Sequence, residues 1–255
     1  MKIIKVSSSQ GCLGKNIGCE KAPDEVVKEL SNIYSNEKGW DSGFIVGTVK
    51  VVLGNIDETN KNILEKEGDI FVGGDHSITY SCVKSFKDNF GDVGLLVFDA
   101  HPDCYLDDKN FLNHENYVAF LVKGGIVKPE NIVLVGIRNS DPKEISFLKE
   151  NKIKYFTMKQ IYGNINDVCD TIMEIVREFS NLYVSIDIDV VDPAFAPGTG
   201  YLEPGGMSSR DLIYFLQRLK LLKNLKRLDL VEINPDKDIN GMTVKLGAKI
   251  IKEVI

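Results

Sequence analysis

Leu182-Tyr183-Val184-Ser185-Ile186-Asp187-Ile188-Asp189-Val190-Val191-Asp192-Pro193 runs from a strand-like apolar segment straight into a set of aspartates and a proline. Two other blocks have the same form. Gly73-Gly74-Asp75-His76-Ser77 follows the apolar run that ends at Val72, and Asp99-Ala100-His101-Pro102-Asp103 follows Val93 to Phe98. In a parallel sheet all three blocks fall at carboxyl ends of strands and so along one edge, the edge where open α/β sheets bind ligands. A lone Asp-x-Asp after a strand is often a surface turn. Three such blocks, holding two of the chain's three histidines, read as one metal site.

Outward from these blocks, apolar strand-like runs alternate with amphipathic ones of helical period. Strands are predicted near 2–7, 44–53, 69–73, 93–98, 131–136, 153–156, 182–187 and 226–231. Helices are predicted near 23–34, 57–67, 77–88, 115–123, 142–150, 165–180, 208–222 and 240–253, with start signals at Ala22-Pro23-Asp24, Ser140-Asp141-Pro142 and Ser208-Ser209-Arg210-Asp211. Such alternation specifies a doubly wound, mostly parallel sheet with helices on both faces, a three-layer α/β/α domain. With 255 residues and 43% hydrophobic content, one domain spanning 1–255 is expected, without repeat or linker. The longest stretches without either pattern, 99–114 and 188–207, both follow metal blocks, where loops on a rigid sheet build sites.

Alternate side chains of an extended strand point the same way, which sends Asp99, His101 and Asp103 to one side and likewise Asp187 and Asp189. With His76, six ligands converge. Four carboxylates and two imidazoles exceed the roughly four ligands of a tetrahedral zinc, and two divalent ions fit better. Oxygen donors mixed with imidazole and no thiolate favour manganese, with iron, cobalt or nickel as substitutes. Paired ions about 3.5–4 Å apart make a shared water acidic enough to supply hydroxide at neutral pH, the nucleophile of a hydrolase.

These blocks, together with Glu232-Ile233-Asn234-Pro235, Asp192-Pro193-Ala194-Phe195-Ala196-Pro197-Gly198-Thr199-Gly200 and the N-terminal Gly18-Cys19-Glu20-Lys21-Ala22-Pro23, resemble the ureohydrolases, the dimanganese arginases, agmatinases and their relatives. The resemblance covers nearly the whole chain. It implies that His76, Asp99, Asp103 and Asp187 bind one ion and Asp99, His101, Asp187 and Asp189 the other, with Asp99 and Asp187 bridging. It further implies that Glu232 receives the substrate guanidinium in a bidentate grip and that His114 matches the family's proton shuttle. Many relatives have glycine after this histidine; here it is Glu115. Asp75 and Asp192 are read as supports for the ligands or as turn caps, and Glu203 as a substrate contact or a residue that merely precedes a turn.

The resemblance also bears on substrate. Arginases hold the α-carboxylate and α-amine of free arginine with a polar loop that Tyr105-Leu106-Asp107-Asp108-Lys109-Asn110-Phe111-Leu112 does not reproduce. Agmatinases lack that loop as well, and the 192–198 stretch looks more like theirs. An acidic mouth formed by Asp107, Asp108 and Glu115 suits a small cationic guanidino compound. The implied activity is hydrolysis of agmatine to putrescine and urea. The alternatives are an arginase acting on free or peptide-bound arginine to give ornithine, a silent relative that keeps the metals, and a one-zinc deacetylase of the broader fold.

A net charge of −6 without a basic cluster excludes a nucleic-acid partner, and no apolar run reaches the roughly 18 residues of a membrane span. Five scattered cysteines and an N-terminus without a signal peptide point to the cytoplasm. A homo-oligomer, trimer or hexamer, is implied by the resemblance. Cys104, beside Asp103, is read either as redox-sensitive or as a buried inert thiol.

Overall fold

The computed structural model describes residues 1–106 and 111–255. Strands β1 (Lys2–Val6), β2 (Ile45–Thr48), β3 (Ile70–Gly73), β4 (Val93–Phe98), β5 (Ile132–Ile137), β6 (Lys154–Thr157), β7 (Asn181–Asp187) and β8 (Leu225–Val231) form one sheet in the order β2-β1-β3-β8-β7-β4-β5-β6. Every pairing is parallel. Around it stand α1 (Ala22–Leu30), α2 (Ile56–Leu64), α3 (Ile78–Phe90), α4 (Tyr117–Lys123), α5 (Pro142–Glu150), α6 (Met158–Ile161), α7 (Ile165–Val176), α8 (Ser209–Leu219) and α9 (Met242–Val254).

Neighbouring strand residues feed two separate cores, as the pleat requires. Ile3, Val72, Leu96, Phe98, Ile186 and Leu230 pack with α1, α7, α8 and α9 on one face. Ile4, Phe71, Leu95, Val97, Tyr183 and Val231 pack with α2, α3, α4 and α5 on the other. The expected three layers are present. The central strands β4 and β7 are apolar along their lengths because both faces are covered.

Helix starts follow local chemistry. Asp141 and Ser208 each close a capping box, with Glu144 and Asp211 respectively, and Asn55 accepts from the Glu58 amide. The ends differ more from expectation: α7 stops at Val176 and α8 at Leu219, and the predicted strand 44–53 pairs only over Ile45–Thr48, at the sheet edge. The one-turn α6 lies within no predicted helix. Its start carries a Thr157-x-x-Gln160 capping box, yet four residues are too few to show a helical period.

What this topology does for function is to make neighbours of four strands that are far apart in sequence. β3, β8, β7 and β4 are consecutive in the sheet, so the segments that follow them meet at one edge. Among the described residues no helix is long and apolar enough to cross a membrane.

Candidate metal centre and substrate cavity

His76 is delivered by the turn between β3 and α3, and it is completely buried. The turn is tight: a Cβ on Gly74 would sit 2.0 Å from the Ser8 carbonyl oxygen, so only glycine fits there. Gly74 also accepts the backbone N–H of Glu232, joining the end of β3 to the end of β8.

The aspartates converge for a different reason than strand alternation. Asp99 lies beyond the last residue of β4, Asp103 has a left-handed backbone with φ 47°, and Asp189 sits in a 3-10 turn, Ile188–Val190. Side-chain hydrogen bonds fold these turns. Asp99 Oδ1 accepts from the His101 amide at 2.7 Å, Asp187 Oδ1 from the Asp189 amide at 2.8 Å, and Asp189 Oδ1 from the Ala100 amide at 3.0 Å. Each of the three thereby spends one oxygen on the backbone and turns the other toward an imidazole.

Two groups result. His76 Nδ1 lies 3.2 Å from Asp99 Oδ2, 3.0 Å from Asp103 Oδ2 and 3.1 Å from Asp187 Oδ2. His101 Nδ1 lies 3.0 Å from Asp189 Oδ2 and 3.6 Å from Asp99 Oδ1. Asp99 belongs to both groups of metal-competent ligands, whereas Asp187 is drawn into the first alone. Although close to three carboxylates, His76 Nδ1 makes no hydrogen bond of acceptable geometry, and Asp99 Oδ2 makes none either. Buried polar atoms left in this state carry a large desolvation cost unless something pairs with them.

The protonation chemistry agrees. Burial, reinforced by neighbouring aspartates, pushes the carboxyls of Asp103, Asp187 and Asp189 above the usual range. Burial opposes charge on His76 and His101 too, but the surrounding carboxylates outweigh it and hold both imidazoles protonated well above their ordinary pKa. Without a cation the cluster is tolerable only by storing protons. Divalent cations would replace those protons, and the donor set of four carboxylates and two imidazoles fits them.

The opposite side of His76 fixes which nitrogen is offered. Ser185 Oγ donates to Asp229 Oδ1 at 2.6 Å and therefore accepts from His76 Nε2 at 2.9 Å, which makes Nδ1 the nitrogen that faces the aspartates and the one a cation would take in place of its proton. Asp229 Oδ2 also accepts from Thr79 Oγ1 and Tyr183 Oη. The sequence reading missed Asp229. Its signal was a lone carboxylate inside the apolar strand Leu228-Asp229-Leu230-Val231.

Glu232, at the end of β8, has φ 66°, a strained value for a residue with a side chain. Its Oε1 accepts from the His76 amide at 2.7 Å and lies 3.1 Å from His114 Nδ1, while Oε2 accepts from Asn16 Nδ2 at 2.6 Å. Despite burial, the nearby His114 holds the Glu232 carboxyl below its ordinary value. His114 is buried, and burial lowers its pKa, but Glu232 dominates and raises it to about 9. Its Nε2 has no hydrogen-bond partner. Asn16, also missed, belongs to no motif; only the folded N-terminal loop brings it to Glu232.

Two supports turn out to be loop pins. Asp192 accepts from the amides of Ala194, Gly205 and Gly206, and so staples the 188–207 loop without touching the aspartate cluster. Asp75, pushed up to about 6 by burial first and by Glu232, accepts from the amides of Gly11 and Ser77, and Gly11 in turn accepts the His114 amide. Glu203 does more than precede a turn: Oε1 accepts from Asn139 Nδ2 at 2.7 Å and lies 3.4 Å from His101 Nε2. Cys104 is buried against Glu144, and burial raises its thiol far above the reactive range.

A cavity of about 500 Å³ opens over these groups, lined by His101, Asp103, His114, Asp187, Asp189, Glu203 and Glu232, and further out by Tyr105, Glu115, Asp141 and Tyr201. Among the described residues lining it there is no lysine or arginine. The Arg138 guanidinium is turned away, clamping the carbonyls of Asp189 and Glu203, and Lys143 lies over the Tyr105 ring. Glu115 does line the cavity, whereas Asp107, Asp108 and Lys109 lie outside the described residues.

A parallel α/β/α fold whose central strand ends gather five metal-competent side chains, with Asp103 beside them, beneath an acidic cavity fits a metal-dependent hydrolase. The chain belongs to the arginase family, whose model matches residues 3–255. Members of this family cleave C–N bonds of guanidino and amidino groups, and the chain is such a hydrolase. It is 31% identical to an arginase of Staphylococcus aureus over 240 residues, 88% of this chain and 79% of that protein. To a formimidoylglutamase of Halalkalibacterium halodurans it is 33% identical over 223 residues, 83% of this chain and 69% of that protein. Its fold superposes on the crystal structure of formimidoylglutamase from Bacillus subtilis with a TM-score of 0.92 at 22% identity, covering 99% of this chain and 85% of that one.

Because Asp99 faces both histidines, Asp99→Ala is expected to lose more than one ion's worth of bound manganese, and His101→Asn to lose one ion selectively. Metal content of the purified variants by mass spectrometry checks this, and an Asp99→Ala protein that keeps both ions contradicts the shared position.

Proposed function

We propose that the chain, as one catalytic domain over residues 1–255, is a dimanganese amidinohydrolase that converts agmatine, or a guanidino compound equally lacking a free α-carboxylate, into an amine plus urea. In this reading His76, Asp99, Asp103 and Asp187 hold one ion and Asp99, His101, Asp187 and Asp189 the other; the close approach of Asp99, Asp103 and Asp187 to His76, and of Asp99 and Asp189 to His101, supports it for every member but Asp187 at the second ion. When bound, the ions supply the Lewis acidity that makes water a nucleophile at neutral pH.

The protein's own groups do the rest. Glu232, kept ionised beside His114, takes the guanidinium and sets its carbon over the cluster. Asn16 and the His76 amide fix the carboxylate before substrate arrives, which lowers the ordering cost of binding. Water oxygen adds to the guanidino carbon, the bond from that carbon to the substituted nitrogen breaks, and the leaving amine needs a proton. His114, protonated up to about pH 9 and with an uncommitted Nε2, donates it.

The observation that carries the substrate class is the lining of the cavity. Carboxylates of Glu115, Asp141 and Glu203 line it, with no lysine or arginine among the described lining residues, so a cationic substrate end finds several anionic partners there while a substrate carboxylate meets repulsion from them. This disfavours formimidoylglutamate, which carries two carboxylates. Arginase action on free or peptide-bound arginine is the second reading, favoured by the identity to the S. aureus enzyme. We place the enzyme in the cytoplasm as a homo-oligomer with neither nucleic acid nor membrane as partner; five free, buried cysteines support a reducing compartment, and the acidic charge balance disfavours a nucleic-acid partner.

Urea release by manganese-loaded protein from agmatine, guanidinobutyrate, L-arginine and an arginine-containing peptide tests the reading. Agmatine is expected to show a kcat/KM at least about tenfold above that of arginine, a modest share of what an unpaired polar group can impose. Equal or better hydrolysis of free arginine contradicts it. Glu232→Gln should keep its metal yet lose at least about tenfold in kcat/KM on every guanidino substrate, since hydrogen bonds to charged groups are worth about 1.5–3 kcal/mol. Near-normal turnover would remove Glu232 from the site.

A further inference from the structure

Tyr201 occupies a place in the 188–207 loop that nothing above accounts for. Its ring lies against that of His114 at 5.9 Å and 27°, and edge-on to that of His101 at 5.3 Å and 61°. Its hydroxyl donates to Glu115 Oε1 at 2.8 Å. One side chain thus touches the candidate proton donor, a candidate metal ligand and the acidic residue that follows His114. Tyr201 and Glu115 both line the cavity.

Glu115 is held at both ends. Its backbone N–H donates to Asn113 Oδ1 at 2.9 Å and its carbonyl accepts the Tyr105 amide at 2.9 Å, so the residue's position is set independently of its side chain. The carboxylate is then aimed by Tyr201, yet 36% of the side chain remains open to solvent, which leaves it accessible to a ligand. The geometry relative to the other carboxylate is specific. Glu232 Oε1 lies 3.1 Å from His114 Nδ1, and Glu115 Oε1 lies 4.0 Å from His114 Nε2. Two carboxylates therefore flank the two nitrogens of one imidazole, one deep and one toward solvent.

We propose that Tyr201 and Glu115 form the second anchor of the substrate site: Glu115 binds the ammonium of a dicationic guanidino-amine whose guanidinium is on Glu232, and Tyr201 is the positioning residue that holds Glu115 in place. This rests on the guanidino hydrolase reading above and narrows it. The preferred substrate carries two cations joined by a methylene chain short enough to pass the edge of one imidazole. Such a pair reads the far end of the substrate by charge, and rejects a neutral or anionic end at the same place by leaving Glu115 unpaired or repelled. The rigid Tyr201 ring, seated on two histidines, lets the hydroxyl aim the carboxylate at little entropic cost.

The test compares agmatine with pentylguanidine, in which a methyl group replaces the ammonium, on manganese-loaded protein. For Glu115→Gln the ratio of kcat/KM for agmatine to that for pentylguanidine should fall at least about fivefold, the size expected for a charge pair partly open to water. Tyr201→Phe, which keeps the ring and loses the hydroxyl, should lower the ratio in the same direction by less, through KM rather than kcat. The double variant should fall no further than Glu115→Gln, because the two act as one unit. A ratio changed less than fivefold in Glu115→Gln, or an equal kcat loss on both substrates in Tyr201→Phe, overturns the pairing; the second result would mean that Tyr201 acts through His114. Wild-type protein that hydrolyses both compounds equally well overturns the anchor while leaving guanidino hydrolysis intact. Wild-type protein that hydrolyses neither overturns both readings.

Discussion

Repulsion among four aspartates packed around two imidazoles, nearly all of them out of water, is the constraint on which the rest of the structure depends. Burying a single carboxylate already costs several kcal/mol. The cluster persists because the fold gives it no way to spread. Asp99, Asp187 and Asp189 are each tied by one oxygen to a backbone amide of the edge, and His76 is locked from behind by Ser185 and Asp229. The free energy spent in holding like charges together is what bound divalent cations would return. It also explains two non-glycine residues with left-handed backbone, Asp103 and Glu232, both of which aim carboxylates into the cavity.

From the cluster outward the site becomes progressively less committed to metal and more to substrate. Glu232 and His114 make a charged pair just beside the aspartates, aimed by Asn16 and by the Asp75-pinned Gly11 loop. Beyond them Glu115, Tyr201 and Glu203 come from loops on two different parts of the chain. The rigid part of the site is thus built on strand ends, and the part proposed to read the substrate's far end on loops, where sequence can vary without disturbing the sheet.

Much of this was legible in the sequence because it is encoded locally. Apolar runs closed by Asp or Gly-Gly-Asp-His marked three strand ends, and Asp141-Pro142 and Ser208-Ser209 marked helix starts that the structure places within a residue. What pattern could not give is adjacency. That β7 and β8 insert between β3 and β4 depends on tertiary packing, and only this order sets His76 against Asp187. The alternation argument named residues that do converge, but by the wrong cause: turns closed by side-chain hydrogen bonds, and not the pleat, orient them. Asn16, Asp229 and Tyr201 escaped notice because each acts through a partner distant in sequence, at Glu232, Ser185 and Glu115.

The central claim is that this single cluster holds two ions that share a ligand. Diffraction from crystals of manganese-loaded protein, collected on either side of the manganese absorption edge, tests it most directly. The expected result is two anomalous peaks, both beside the Asp99 carboxylate, one toward His76 and the other toward His101. A single peak at one histidine, or two peaks with Asp99 bound to only one of them, would contradict it.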